Sequence, residues 1–166
     1  MINKLSTYLI AAIAIICLSA GNWQRISSKK YTISFPEKPQ LLQKSMPSDM
    51  VEYEIYVSSS DHQMVYFFVT AKYPVAIEKD QEKICLDGFL EGMLLNNPGN
   101  ELITYDESSF NGHLGYEFVI QNENYLFKGK ILIANQTLYL LATECEKDLF
   151  QSENLQQFIN SFALID

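Results

Sequence analysis

The residues of this chain that could serve as nucleophile, base or metal ligand are few and scattered. His62 lies in the polar turn Ser58-Ser59-Ser60-Asp61-His62, and His113 sits beside the Asn111-Gly112 turn. Neither is near a nucleophile elbow, and Ser-His-Asp or Cys-His chemistry leaves no local signature here, so no catalytic residue is assigned. Two distant histidines and widely spaced cysteines lack the close pairing that zinc ligands need, and no metal site is assigned. No phosphate-cradling glycine loop is present, so no cofactor is expected. Glu52 and Glu54 could act as an acid and base pair or hold a cation, but charges alternating along a strand ordinarily solvate its outer face. Asn135-Gln136-Thr137 fits a glycosylation sequon, yet an asparagine is expected in a hairpin turn in any case.

The cysteines depend on the compartment, and the compartment is addressed by the N-terminus. Lys4 precedes an uncharged stretch, Leu5 to Ala20, that closes on Leu18-Ser19-Ala20-Gly21. This is the pattern of a secretory signal over residues 1–20, cut near Ala20 and Gly21. The apolar core is shorter than the roughly 20 residues of a spanning helix, which disfavours an uncleaved anchor. Cys17 follows Ile15 and Ile16 inside that core and does not suit lipidation. Export places the rest of the chain in an extracytoplasmic space, periplasmic or secreted, where disulfides persist. Removing the signal takes Cys17 with it and leaves Cys85 and Cys145. A bond between them would close a loop of about 60 residues and stabilise the fold by about 4 kcal/mol in the chain-entropy model. Two separate buried thiols are the alternative, and spacing alone does not choose between them.

The whole chain has 12 basic and 20 acidic side chains, a formal charge of −8, and losing Lys4 makes the exported form more acidic still. Apart from Lys29-Lys30 there is no basic cluster, so a nucleic-acid partner is not expected. Contact with a membrane is expected only during export, or if the signal stays uncleaved. The expected partner is another protein or a small ligand.

Residues 21–30 are polar and read as a flexible leader, held only where Trp23 can pack; residues 31–166 read as one domain. Tyr31 to Phe35 and a segment around Leu41 to Met46 are broken by prolines and look like edge strands. Val51, Tyr53, Ile55 and Val57 alternate with polar residues and predict a strand with one wet side. Met64 to Val69 is apolar at odd and even positions alike, as is Leu138 to Ala142, which predicts strands covered on both faces. Residues 78–97 place Ile84, Leu86, Phe89, Leu90, Met93 and Leu94 at near-helical spacing and stop at Asn96-Asn97-Pro98-Gly99. Gly88 and Gly92 within that helix point to a close backbone contact or to simple tolerance. Strands follow at 101–108, 115–121, 125–134 and 137–143, joined by turns at Asn111-Gly112, Asn122-Glu123-Asn124 and Asn135-Gln136. Ser152 to Phe162 closes the chain as a second amphipathic helix. The expected class is α+β, an antiparallel sheet sandwiched by helices.

The order of several landmarks adds a resemblance. Tyr31-Thr32-Ile33-Ser34-Phe35-Pro36 comes first, then Tyr73-Pro74, Leu86-Asp87-Gly88-Phe89 and Asn111-Gly112-His113-Leu114-Gly115-Tyr116-Glu117-Phe118. Leu138-Tyr139-Leu140 and Phe158-Ile159-Asn160-Ser161-Phe162 complete the series. In this order they resemble the PsbP-like fold, shared with Ran-binding Mog proteins and many small secreted bacterial proteins. The resemblance implies an α/β/α sandwich and a non-enzymatic binding or assembly role, although function does not follow from fold. No partner-binding residue of those proteins matches a position here. The expectation is a non-catalytic secreted or periplasmic accessory protein; the alternatives are a small hydrolase-like enzyme using His113 or His62, and a host-directed secreted factor.

Overall fold

The computed structural model describes residues 23–44, 51–60 and 63–165. The signal segment with its cut near Ala20 and Gly21, Cys17 and His62 lie outside the described residues.

Four long strands form the antiparallel meander that the turn chemistry requires: β6 (Glu101–Phe110), β7 (His113–Asn122), β8 (Tyr125–Ala134) and β9 (Thr137–Glu146). Asn111 and Gly112 both take positive φ, 50° and 82°, the two-residue hairpin whose twist matches that of the strands it joins. Glu123 and Asn135 take φ of 51° and 56° in the next two turns. β3 (Gln40–Lys44), β4 (Glu52–Ser59) and β5 (Val65–Lys72) extend the meander into one sheet ordered β3-β4-β5-β9-β8-β7-β6. Its central strands approach closely at Gly129: a Cβ there would lie 2.6 Å from the Ala142 Cα on the neighbouring strand, so only glycine fits.

Because β5, β8 and β9 bury side chains on both faces, each face needs a cover. On one face lies α1 (Lys79–Leu95), which buries Leu86 and Leu90 against Tyr116, Phe118, Ile131, Leu138 and Leu140. The opposite face is covered by α2 (Ser152–Asn160) together with a second sheet, β1 (Gln24–Ser27), β2 (Tyr31–Phe35) and β10 (Ala163–Leu164), ordered β1-β2-β10. Here Tyr31, Ile33 and Phe35 meet Tyr66, Phe68, Tyr139, Leu141, Phe158 and Phe162. The contacts are mostly aromatic, with Tyr31 and Phe68 4.8 Å apart, Phe35 and Phe158 5.2 Å, and Tyr66 and Phe158 5.3 Å between ring centroids. Ser161 ties the two parts of this cover, accepting from the Ser34 N–H at 3.0 Å and donating to the Phe158 carbonyl at 2.7 Å.

The described residues are predominantly antiparallel β with two α-helices, and they correct four expectations. The leader is not loose, since Gln24–Ser27 pairs with β2 in register Ile26 with Ile33, and Trp23 sets its ring edge-on to Tyr66 at 5.9 Å. β2 is the central strand of the small sheet instead of an edge; β3 does lie at an edge of the large one. The second layer is a helix and a small sheet together, because α2, at nine residues, is too short to cover this face alone. The wet side expected on β4 is partly dry as well: Tyr56 lies 6.4 Å from Phe68, and its hydroxyl donates to Glu54 at 3.2 Å.

Burial raises the phenol pKa of Tyr31, Tyr66, Tyr116 and Tyr139 above the ordinary value, and pushes that of Tyr73 up to about 12. A raised phenol pKa means that the fold holds protons the unfolded chain would release. The associated stability is complete below about pH 10 and is lost as pH rises through the folded values. Denaturant midpoints are therefore expected to fall steeply from about pH 9.5 upward, beginning earlier where the Cys145 thiol, also raised by burial, contributes. A flat midpoint between about pH 8 and 11 would contradict this packing.

Candidate functional site

α1 is fastened to the sheet unevenly. Its first half is clamped: Lys83 Nζ donates to the Tyr116 hydroxyl at 2.8 Å and to Glu107 Oε1 at 3.1 Å, while Tyr116 donates to Asp87 Oδ1 at 2.6 Å. Those partners hold the Lys83 ammonium well above its ordinary pKa. Leu86 and Leu90 complete the seat. Beyond Leu90 the helix leaves the sheet incompletely filled. Phe89 and Met93 are only half-buried, as are Phe67 and Val69 on β5 beneath them.

The space between them is a cavity of about 470 Å³, within the size range of small-molecule sites. Its walls are Phe67, Val69, Phe89, Met93, Ile120, Phe127 and Leu140, and its rim carries Asn97, Asn100, Asn122, Tyr125 and Glu144. Phe127 fixes one wall by packing edge-on to Phe67 at 5.8 Å and against Phe118 at 5.5 Å. The helix ends where Asn96 Nδ2 donates back to the Gly92 carbonyl at 2.8 Å. The following loop is fastened over the cavity by asparagines: Asn100 Nδ2 donates to the Met93 carbonyl at 2.9 Å, and Asn122 Nδ2 donates to Asn100 Oδ1 at 2.8 Å and to the Pro98 carbonyl at 3.3 Å. Gly99, at φ 92°, lets the loop turn onto Asn122, since a Cβ there would stand 3.2 Å from Asn122 Oδ1. An apolar hollow with a polar mouth can hold an apolar molecule, or the apolar end of a larger one, by excluding its surface from water.

The residues singled out in the sequence lie elsewhere. His113 opens on a separate cleft of about 350 Å³ whose polar lining is Lys29, Lys30, Asn135, Thr137 and Tyr139, with no serine, cysteine or described carboxylate among its walls. Glu52 accepts from Lys72 across the strands at 2.9 Å. Gly88 and Gly92 make no close backbone contact; nothing stands within 4 Å of a Cβ on Gly88. They sit in an open apolar groove beside the helix, where Ile84, expected inside, is 63% exposed. Cys85 and Cys145 do not meet. Cys85, on α1, donates to the Tyr73 hydroxyl at 3.4 Å, while Cys145 points into the aromatic core on the other face of the sheet. Both thiols are free, so the disulfide is not formed: the sheet stands between them. Among the described residues no helix is long and apolar enough to cross a membrane.

The cavity went unread in the sequence because aromatic lining and aromatic core look alike along a chain. The one trace of it was the density of asparagine at 96, 97, 100 and 122, which reads equally well as helix stop and turn.

No family model matches the sequence, and no curated protein matches it. Among solved structures, the cyanobacterial PsbP protein CyanoP from Synechocystis sp. PCC 6803 superposes with a TM-score of 0.63 over 89% of this chain and 95% of that one, at 12% identity. A protein of unknown function from Pseudomonas aeruginosa gives 0.45 over 77% of this chain and 85% of that one, at 13% identity. The fold is PsbP-like, as the landmarks implied.

The thiol geometry has a direct check. Protein comprising residues 21–166, denatured without reductant, is expected to show two thiols reactive to Ellman's reagent. None would mean that Cys85 and Cys145 are bonded and that the faces assigned to them are wrong.

Proposed function

We propose that this chain is an extracytoplasmic, non-catalytic binding protein that holds a small apolar ligand, or the apolar end of a larger partner, in the cavity beneath the second half of α1. The observation that carries the reading is the cavity itself: about 470 Å³ of apolar-walled space whose mouth is framed by hydrogen-bonded asparagines. Natural cores close such space, because each unfilled volume costs packing energy. Clamping one half of α1 while leaving the other raised keeps the cavity open without loosening the fold. The signal-like segment 1–20 supports export, and the acidic balance supports a partner that is neither nucleic acid nor an anionic membrane. A hydrolase would need His113 beside a nucleophile or carboxylate, whereas its cleft offers lysines, amides and hydroxyls.

N-phenyl-1-naphthylamine, an apolar fluorophore, is expected to bind one-to-one and saturably. Met93→Trp, which fills the space, should weaken it by about tenfold or more with the far-ultraviolet circular dichroism unchanged. Leu140→Phe is the second filling variant, placed on the floor of the cavity. Binding that does not saturate, or that survives both substitutions, would overturn the proposal.

A further inference from the structure

Resting on the cavity reading above, we infer that the occupant is an organic cation, an apolar body carrying an ammonium group. Four of the lining residues are aromatic, Phe67, Phe89, Tyr125 and Phe127, and the faces of such rings attract a positive charge. The lining contains one charged side chain, Glu144, and no lysine, arginine or histidine. Four carboxylates on or beside the sheet have lysine partners: Glu52 with Lys72, Asp87 and Glu107 with Lys83, and Glu117 with Lys130. Glu144 has no ion pair among the described residues and stands at the mouth.

The charge of the lining points the same way. Its one formal charge is the Glu144 carboxylate, and no cationic side chain stands among the lining residues. An anionic head would meet that carboxylate with no opposite charge to receive it. A neutral head would gain only from the apolar walls. A cation meets aromatic faces below and a carboxylate at the mouth, on a protein whose overall charge of −8 attracts it from a distance.

The test compares three ligands with the same tail, decyltrimethylammonium, decanol and decanoate, each displacing N-phenyl-1-naphthylamine below its micelle concentration. The ammonium is expected to bind about fivefold or more tighter than decanol, with decanoate weakest. Glu144→Gln should bring the ammonium close to decanol, both measured on that variant, and Phe127→Leu should weaken the ammonium more than decanol. An ammonium no tighter than decanol, or a preference that survives Glu144→Gln, would overturn the cation inference and leave the cavity standing. Failure of all three ligands to displace a saturably bound probe would also overturn the cation inference, whereas the cavity falls only if the probe itself fails to saturate or survives both filling substitutions.

Discussion

Strands β5, β8 and β9 bury side chains on both faces, and the rest of the molecule follows from what it takes to keep both of their sides out of water. A sheet with one wet side could lie on a single layer of helices. This one cannot, and the chain supplies two unlike covers. On one side, aromatic rings from β2 and α2 interlock with those of β5 and β9, so that Tyr31, Phe35, Phe158 and Phe162 fill their space closely. On the other, a single helix lies over strands ten residues long. One helix, about 10 Å across with its side chains, does not cover so broad a sheet, and its contact is concentrated at Leu86, Leu90 and the Lys83–Tyr116 clamp. The unfilled remainder is the cavity. Fold and candidate site are thus consequences of the same mismatch between a wide sheet and a narrow cover.

The close packing of one face is what permits the looseness of the other. The aromatic core is expected to carry most of the stability, leaving the α1 face free to keep open a space that a marginal fold would collapse. The proposed binding role needs a mouth held in shape. The hydrogen bonds of Asn100 and Asn122, and the positive φ that only Gly99 accepts easily, meet that need with groups that also end the helix.

Much of the fold was legible in the sequence because periodicity and turn residues act locally. The apolar-rich runs of 125–134 and 137–143 between turn residues, the Asn-Gly turn at 111–112 and the amphipathic stripe of 152–162 each specify an element without reference to the others. β1 was not legible: four polar-rich residues gain strand structure only from pairing with β2, a tertiary effect. Nor was the fate of the cysteines, because Cys145 faces the aromatic core by strand parity and Cys85 faces the opposite side by its place on α1. Which side α1 would take is written in neither residue. The cavity was hidden for a deeper reason. Phe67, Phe89 and Phe127 carry the same apolar signal whether they touch another side chain or an empty space, and only the packing of the whole distinguishes the two.

The central claim is that the space under the second half of α1 is a real and occupiable site. Intermolecular nuclear Overhauser contacts between bound N-phenyl-1-naphthylamine and methyl- and aromatic-labelled protein test it most directly. The account expects contacts to Phe67, Met93, Phe127 and Leu140. Contacts confined to Ile84 and Tyr73 in the outer groove, or to the aromatic core around Tyr31 and Phe158, would contradict it.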